Sequence, residues 1–295
     1  MFSKKTAIVC AAVAAFGISA SFASATVTYS TNFDSMSLGS INGQEGWQVT
    51  NPSFDQEVIS GAAHSGTQMY NSTNTYTTGS FGDQPFSAPL PGGNAAGEST
   101  VSGVTGNTAT YSVWFKAGTT SQDNSAISIS LSDVGGSRIN YVSLDNSNAG
   151  GVLLTVYDTT SNGFGNTADF NPSSLGNVDR TSWHQLLVTS VFNDGPNNDV
   201  VQYYVDGSLK ATIGSWEDYY RDDPEQAGNG NQLFAVDRVL FREGGTAQSG
   251  VAGFNFDDFS LTNATVPEPS YLGVAGLAAS ALLMRRRRGR NLFGH

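Results

Sequence analysis

Hydrophobic residues recur at every second position through most of this chain. Val27, Tyr29, Thr31 and Phe33 share one phase, as do Tyr111, Val113 and Phe115. Ile127, Ile129 and Leu131 alternate with Ser128, Ser130 and Ser132. Val152, Leu154 and Val156 repeat the pattern, followed by Leu186, Val188 and Phe192 around Ser190, and by Val201, Tyr203 and Val205. Phe234 with Val236, and Val239 with Phe241, predict late strands. Successive side chains of an extended strand point to opposite faces, so each set predicts a half-buried strand. No stretch between residues 26 and 264 sustains a helical period.

Turn chemistry separates the sets: Asp133-Val134-Gly135-Gly136, Asn148-Ala149-Gly150-Gly151 and Asp194-Gly195-Pro196-Asn197-Asn198. Asp206-Gly207, between Val201–Val205 and Leu209–Ile213, predicts a tight hairpin. Many short strands with regular turns predict an all-β fold, a two-sheet antiparallel jelly-roll sandwich. The Gly-, Pro- and Asn-rich stretch Gly79–Gly106 reads as a long surface loop.

The two ends differ from the middle. Lys4 and Lys5 precede an apolar run, Thr6–Ala20, and Ala23-Ser24-Ala25 is an A-x-A cleavage site. Residues 1–25 therefore read as a secretory signal peptide. The only cysteine, Cys10, lies in that leader, so Thr26–Ala264 has no disulfide and no thiolate ligand or nucleophile. At the other end stand Pro267-Glu268-Pro269, the apolar run Tyr271–Met284, and Arg285-Arg286-Arg287-Arg288. Those 14 apolar residues make about 21 Å of helix. That is a short transmembrane span against a hydrocarbon core of about 30 Å, which snorkelling arginines extend. The arginines stay cytoplasmic, placing the preceding domain outside.

The order Pro-Glu-Pro, apolar run, arginines resembles the PEP-CTERM sorting tail. The resemblance covers residues 265–295, with a basic end at 285–290. It implies export, a transient inner-membrane anchor, processing by an exosortase, and delivery to the envelope surface or extracellular matrix of a Gram-negative bacterium.

Charge narrows the partners. The whole chain carries −11, but residues 26–264 hold 7 basic against 24 acidic side chains, a net charge of −17. Such a surface repels nucleic acid and anionic lipid headgroups, and suits neutral glycans or calcium.

Trp183-His184-Gln185-Leu186-Leu187-Val188, followed by Val201-Gln202-Tyr203-Tyr204-Val205-Asp206-Gly207, resembles the laminin-G-like branch of the concanavalin A-like lectin/glucanase superfamily. Asn32-Phe33-Asp34, Asn42-Gly43-Gln44-Glu45-Gly46-Trp47 and Phe256-Asp257-Asp258-Phe259-Ser260-Leu261 resemble the opening and closing segments of such domains. The resemblance implies a jelly roll but no activity, because the fold hosts lectins, glycosidases and adhesion modules.

Glycosidases need two aimed carboxylates. The Glu-x-Asp-x-x-Glu strand motif common in the superfamily's glucanases is absent from this sequence, and no Ser-His-Asp set is evident. The segment Ser215–Glu225 offers a binding surface instead. Trp216, Tyr219 and Tyr220 supply flat apolar faces, and Glu217, Asp218 and Asp222 supply hydroxyl acceptors. The alternative is that these aromatics fold back as a satellite core. Trp114 lies out of phase with Tyr111, Val113 and Phe115, so it points away from the core as a sugar platform, or lies under a loop such as Gly79–Gly106; Tyr157 and Tyr204 pose the same choice.

For calcium, Asp34, Asp257 and Asp258 are the candidate ligands, from first and last strands expected to be neighbours. Phe254 and Phe256 are in one phase and Phe259 and Leu261 in the other, which predicts a bulge at Asp257-Asp258. Asp194 and Asp199 form a second acidic pair. Together these features predict an exported, non-catalytic protein that binds or organises extracellular polysaccharide. The rival readings are a divergent glycoside hydrolase or polysaccharide lyase, and a purely structural matrix protein.

Overall fold

The computed structural model describes residues 26–50, 56–75, 84–243 and 247–264. The expected signal peptide and sorting tail, with Tyr271–Met284 and Arg285–Arg288, lie outside the described residues. Among the described residues no helix is long and apolar enough to cross a membrane.

The strands are β1 (Thr26–Thr31), β2 (Gly39–Ser40), β3 (Gln48–Val49), β4 (Gln56–Ser60), β5 (Gln68–Ser72), β6 (Pro85–Phe86), β7 (Thr108–Ala117) and β8 (Ala126–Ser132). They continue as β9 (Val142–Asp145), β10 (Val152–Thr160), β11 (Asp169–Val178), β12 (His184–Val191), β13 (Val200–Val205), β14 (Ser208–Ile213), β15 (Arg238–Arg242) and β16 (Phe254–Ala264). Among the described residues one α-helix, α1 (Glu217–Asp222), lies between β14 and β15, followed by a short 3-10 helix at Pro224–Asn229; another 3-10 turn is at Pro91–Gly93. One sheet runs β14-β13-β12-β7-β16-β5-β4-β2, with β1 also on β16; the other runs β11-β10-β9-β8-β15-β6-β3. All pairings between named strands are antiparallel. The result is the two-sheet sandwich that the alternation predicts.

The alternating apolar sets face inward. Tyr111, Val113, Phe115, Val142, Leu144, Leu186, Val188, Val201 and Tyr203 are all buried. Burial of this apolar surface drives the two sheets together. An aromatic cluster fills the centre. Trp47 packs against Phe33 at 5.5 Å, Tyr70 at 5.4 Å, Phe241 at 5.6 Å and Phe259 at 5.6 Å between ring centroids. Its indole N–H donates to the Tyr29 hydroxyl at 2.9 Å, so the buried polar atom is satisfied. The tight hairpin at Asp206-Gly207 is present, with φ of 51° and 74°, the left-handed pair that such a turn needs.

β16 carries the expected bulge. Its register against β7 shifts between Asp257 and Ser260, Asp258 has φ 44°, and Phe254, Phe256, Phe259 and Leu261 all reach the core. On its other edge β16 pairs first with β5 and then with β1, so the bulge sits where the partner changes. First and last strands are neighbours, as expected.

Three expectations need correction. The described part of Gly79–Gly106 is not simply a surface loop. Pro85–Phe86 joins a sheet, and Ala88, Leu90 and Ala96 are core residues. Phe234–Val236 is no strand; Val236 makes a single bridge to Ala96. Although no stretch of residues 26–264 sustains a helical period, the segment after Trp216 forms the short helix α1.

Candidate functional site

α1 is one and a half turns long, and its side chains divide by helical geometry. Residues three and four apart share a face, while neighbours in sequence do not. Trp216, at the helix start, therefore aligns with Tyr219 and Tyr220, and Glu217 aligns with Arg221. The first face forms the floor of a groove.

Trp216 is 5% exposed. Its ring stacks on Tyr141 at 5.6 Å with planes 10° apart, and Phe170 meets it edge-on at 4.8 Å. Its indole N–H donates to the Tyr157 carbonyl at 2.8 Å. The Arg138 guanidinium lies 5.3 Å from the Trp216 ring centroid and 5.7 Å from that of Tyr141, a cation–π arrangement. The Tyr220 hydroxyl accepts from the Arg138 backbone N–H at 2.8 Å, and burial holds the phenol well above its ordinary pKa. The Tyr219 hydroxyl donates to Glu225 Oε2 at 3.0 Å, and burial also raises its pKa.

The groove has a volume of about 390 Å³. Gly135–Arg138 line one side, Phe170 and the three aromatics of α1 the floor and rim, and Glu225, Gln226 and Asn229 the other side. Phe170, on β11, is 40% exposed and is the most accessible ring. An apolar floor with a few aimed polar groups is the general form of a small-molecule site.

The satellite-core alternative holds for Trp216 and Tyr220, which are buried in the floor rather than standing free as platforms. Glu217 and Asp218 do not line the groove. Both are buried, Glu217 accepting from Asn198 N at 2.8 Å and Asp218 from Ser161 N at 3.1 Å, so each holds a loop against the helix. Besides the tyrosine hydroxyls, the polar side chains at the groove are Ser137, Arg138, Glu225, Gln226 and Asn229. Arg138 and Phe170 come from distant segments, and no local spacing pointed to them.

Trp114 stands on the outer face of β7 but is not open. His64 stacks on it at 3.8 Å with planes 14° apart, and His64 Nδ1 lies 2.6 Å from Asp258 Oδ2. The cover is the turn between β4 and β5. Tyr204 is half-buried on that sheet, its hydroxyl donating to Gln202 at 3.1 Å.

Asp34, Asp257 and Asp258 all serve the same turn. Asp34 Oδ1 accepts from Thr67 N at 2.8 Å and Gln68 N at 2.9 Å, and the first of these bonds is the main reason its pKa is lowered. Asp257 Oδ2 accepts from Ser65 N at 2.8 Å and Asp258 Oδ1 from the Ser65 hydroxyl at 2.6 Å. Burial raises the Asp257 pKa. Gly66 fits there because a Cβ would meet Asp34 Oδ2 at 1.6 Å, and its φ is 65°. The three acids thus pin a turn and do not converge on a cation.

A different trio does converge. Among the described residues, Glu98, Asp199 and Glu217 are the acids whose carboxylate oxygens approach within 4.8 Å of one another, close enough to hold a metal ion. Asp194 instead accepts from Ser99 N at 2.7 Å.

No family model matches this chain, and no curated protein sequence does. Solved structures do. A sialidase is matched over 83% of this chain at 13% identity with a TM-score of 0.43; the chain spans only 19% of the sialidase's length. The carbohydrate-binding module CBM66 from Bacillus subtilis is matched over 75% of this chain and 94% of its own, at 11% identity and a TM-score of 0.33. Alginate lyase A1-II′, of polysaccharide lyase family 7, is matched over 68% of this chain and 80% of its own, at 11% identity and a TM-score of 0.38.

Proposed function

We infer that residues 26–264 form a non-catalytic polysaccharide-binding domain, exported and held at the cell surface or in the matrix. The observation that carries this reading is the aromatic groove. Its volume of about 390 Å³ and its Phe170 rim suit a short stretch of sugar chain. Phe170 and Tyr219 offer apolar faces for pyranose rings, and Arg138, Glu225, Gln226 and Asn229 offer donors and acceptors for hydroxyls. Among the described residues one carboxylate, Glu225, lines the groove, and the Tyr219 hydroxyl already engages it. Hydrolysis of a glycosidic bond requires a second, which favours binding over cleavage. The leader and the arginine-ended tail support export, an exosortase as processing partner, and passage through the inner membrane.

A glycan array probed with the purified full chain tests this reading. The expected result is binding to a polysaccharide without shortening of it. Binding should weaken in Phe170→Ala and Glu225→Gln. Turnover would identify a lyase or hydrolase instead, and silence across neutral and charged glycans would leave a structural matrix protein.

A further inference from the structure

The face of α1 opposite the groove carries Glu217 and Arg221. There it meets Glu98, from the segment before β7, and Asp199, which closes the Asn193–Asp199 loop. The three acids are 3%, 7% and 2% exposed for Glu98, Asp199 and Glu217. One loop fixes them by three backbone donors: Asn193 N to Asp199 Oδ1 at 2.9 Å, Gly195 N to Glu98 Oε2 at 3.3 Å, and Asn198 N to Glu217 Oε1 at 2.8 Å. The Ser215 hydroxyl donates to Asp199 Oδ2 at 2.6 Å, and Arg221 pairs with Glu98.

Two features are left over. Three carboxylates face one guanidinium, and buried like charges are costly without a further cation. In addition, Glu217 Oε2 is buried and accepts no hydrogen bond, its one charged partner being the ion-paired Arg221 Nε at 3.6 Å. We propose that Glu98, Asp199 and Glu217 form a calcium site, with Glu217 Oε2 as a direct ligand. Oxygen is the only donor type in the trio, which suits a hard cation. Calcium–oxygen bonds of about 2.3–2.6 Å put opposed ligands about 5 Å apart, and the trio's oxygens lie within 4.8 Å. Magnesium demands shorter bonds, of about 2.0–2.1 Å, in near-ideal octahedral geometry.

Glu98 and Arg221 also line a second groove of about 630 Å³, which gives the ion an entry path and its remaining water ligands. Filling the site would tie the Asn193–Asp199 loop and Glu98 to the helix whose other face floors the aromatic groove. The proposal stands whether or not that groove takes a glycan.

The test is calorimetric titration of the chelator-treated full chain with calcium chloride, beside thermal melts with and without calcium. One ion per chain and a higher melting temperature are expected. Asp199→Asn and Glu217→Gln should weaken binding at least about tenfold, whereas Asp258→Asn should not. Terbium luminescence in the wild type covers the case in which those variants misfold. Aromatic-sensitised emission that calcium competes away at one ion per chain supports the site. No calcium heat at the millimolar concentrations typical of extracellular modules would overturn it. So would calcium binding that survives undiminished in both Asp199→Asn and Glu217→Gln, or that is lost in Asp258→Asn alone.

Discussion

Replacing Trp216 by alanine separates floor from platform. A ring standing free in solvent would cost little stability when removed and much affinity. The structure demands a large stability loss. Trp216 is 5% exposed, stacks on Tyr141, meets Phe170 edge-on and donates its N–H to the Tyr157 carbonyl. A buried Trp→Ala change costs about 3–5 kcal/mol, the upper part of the range where the cavity cannot collapse. The Tyr141 ring stacked on the indole and the Arg138 guanidinium 5.3 Å from it resist collapse. In a domain of this size each kcal/mol moves the melting temperature by about 2–4 °C. Differential scanning calorimetry on Trp216→Ala should therefore show a fall of about 6–20 °C. Phe170→Ala is the counterpart. With its ring 40% exposed, it forfeits only part of the roughly 1.5–3 kcal/mol of a fully buried side chain. Its affinity for a bound glycan should fall about tenfold, or about 1.4 kcal/mol. A Trp216→Ala domain that melts within about 2 °C of wild type while losing glycan binding would refute the reasoning.

Gly66→Ala should melt lower than wild type, because the new Cβ collides with Asp34 Oδ2 and displaces the turn from its two backbone donors. Asp257→Ala strips the acceptor from the Ser65 and Asp258 backbone N–H groups at the bulge, with an expected cost of about 2–4 kcal/mol by denaturant titration; an unchanged midpoint would contradict the pinning role. Intact-mass measurement of surface-released protein should find Arg285–Arg288 removed, and serine at those four positions should weaken membrane retention.

Strand alternation was readable wherever apolar residues occupied the inward positions, as along β7, β12 and β13. Even the bulge was readable, because Phe256 and Phe259 cannot share a face without one. β4 was hidden because its inward end is Gln56, buried and polar, accepting from the Tyr70 hydroxyl. β11 was hidden because it is a mostly exposed edge strand carrying Pro172 and Gly176, residues that mark it as turn-like in isolation. The candidate site was half legible. Trp216, Tyr219 and Tyr220 stand at i, i+3 and i+4, yet six helical residues are too few to display a period. Reading Glu217 and Asp218 as their companions treated neighbours in sequence as neighbours in space. Arg138, Phe170 and Glu98 arrive from remote segments through sheet pairing and packing, which no local pattern encodes.

The pairing of β1 with β16 also has a mechanical meaning. Thr26 lies opposite Ala264, and the ladder runs from that pair inward to Thr31 and Phe259. A load applied between the two ends of the domain meets one hydrogen-bonded rung at a time instead of shearing all of them together. β1 would peel from its neighbour at low force, while β16 remains clamped by β7 on its other edge. Such a load would then be met first at a short strand, leaving Trp47 and the aromatic centre of the sandwich to resist the rest.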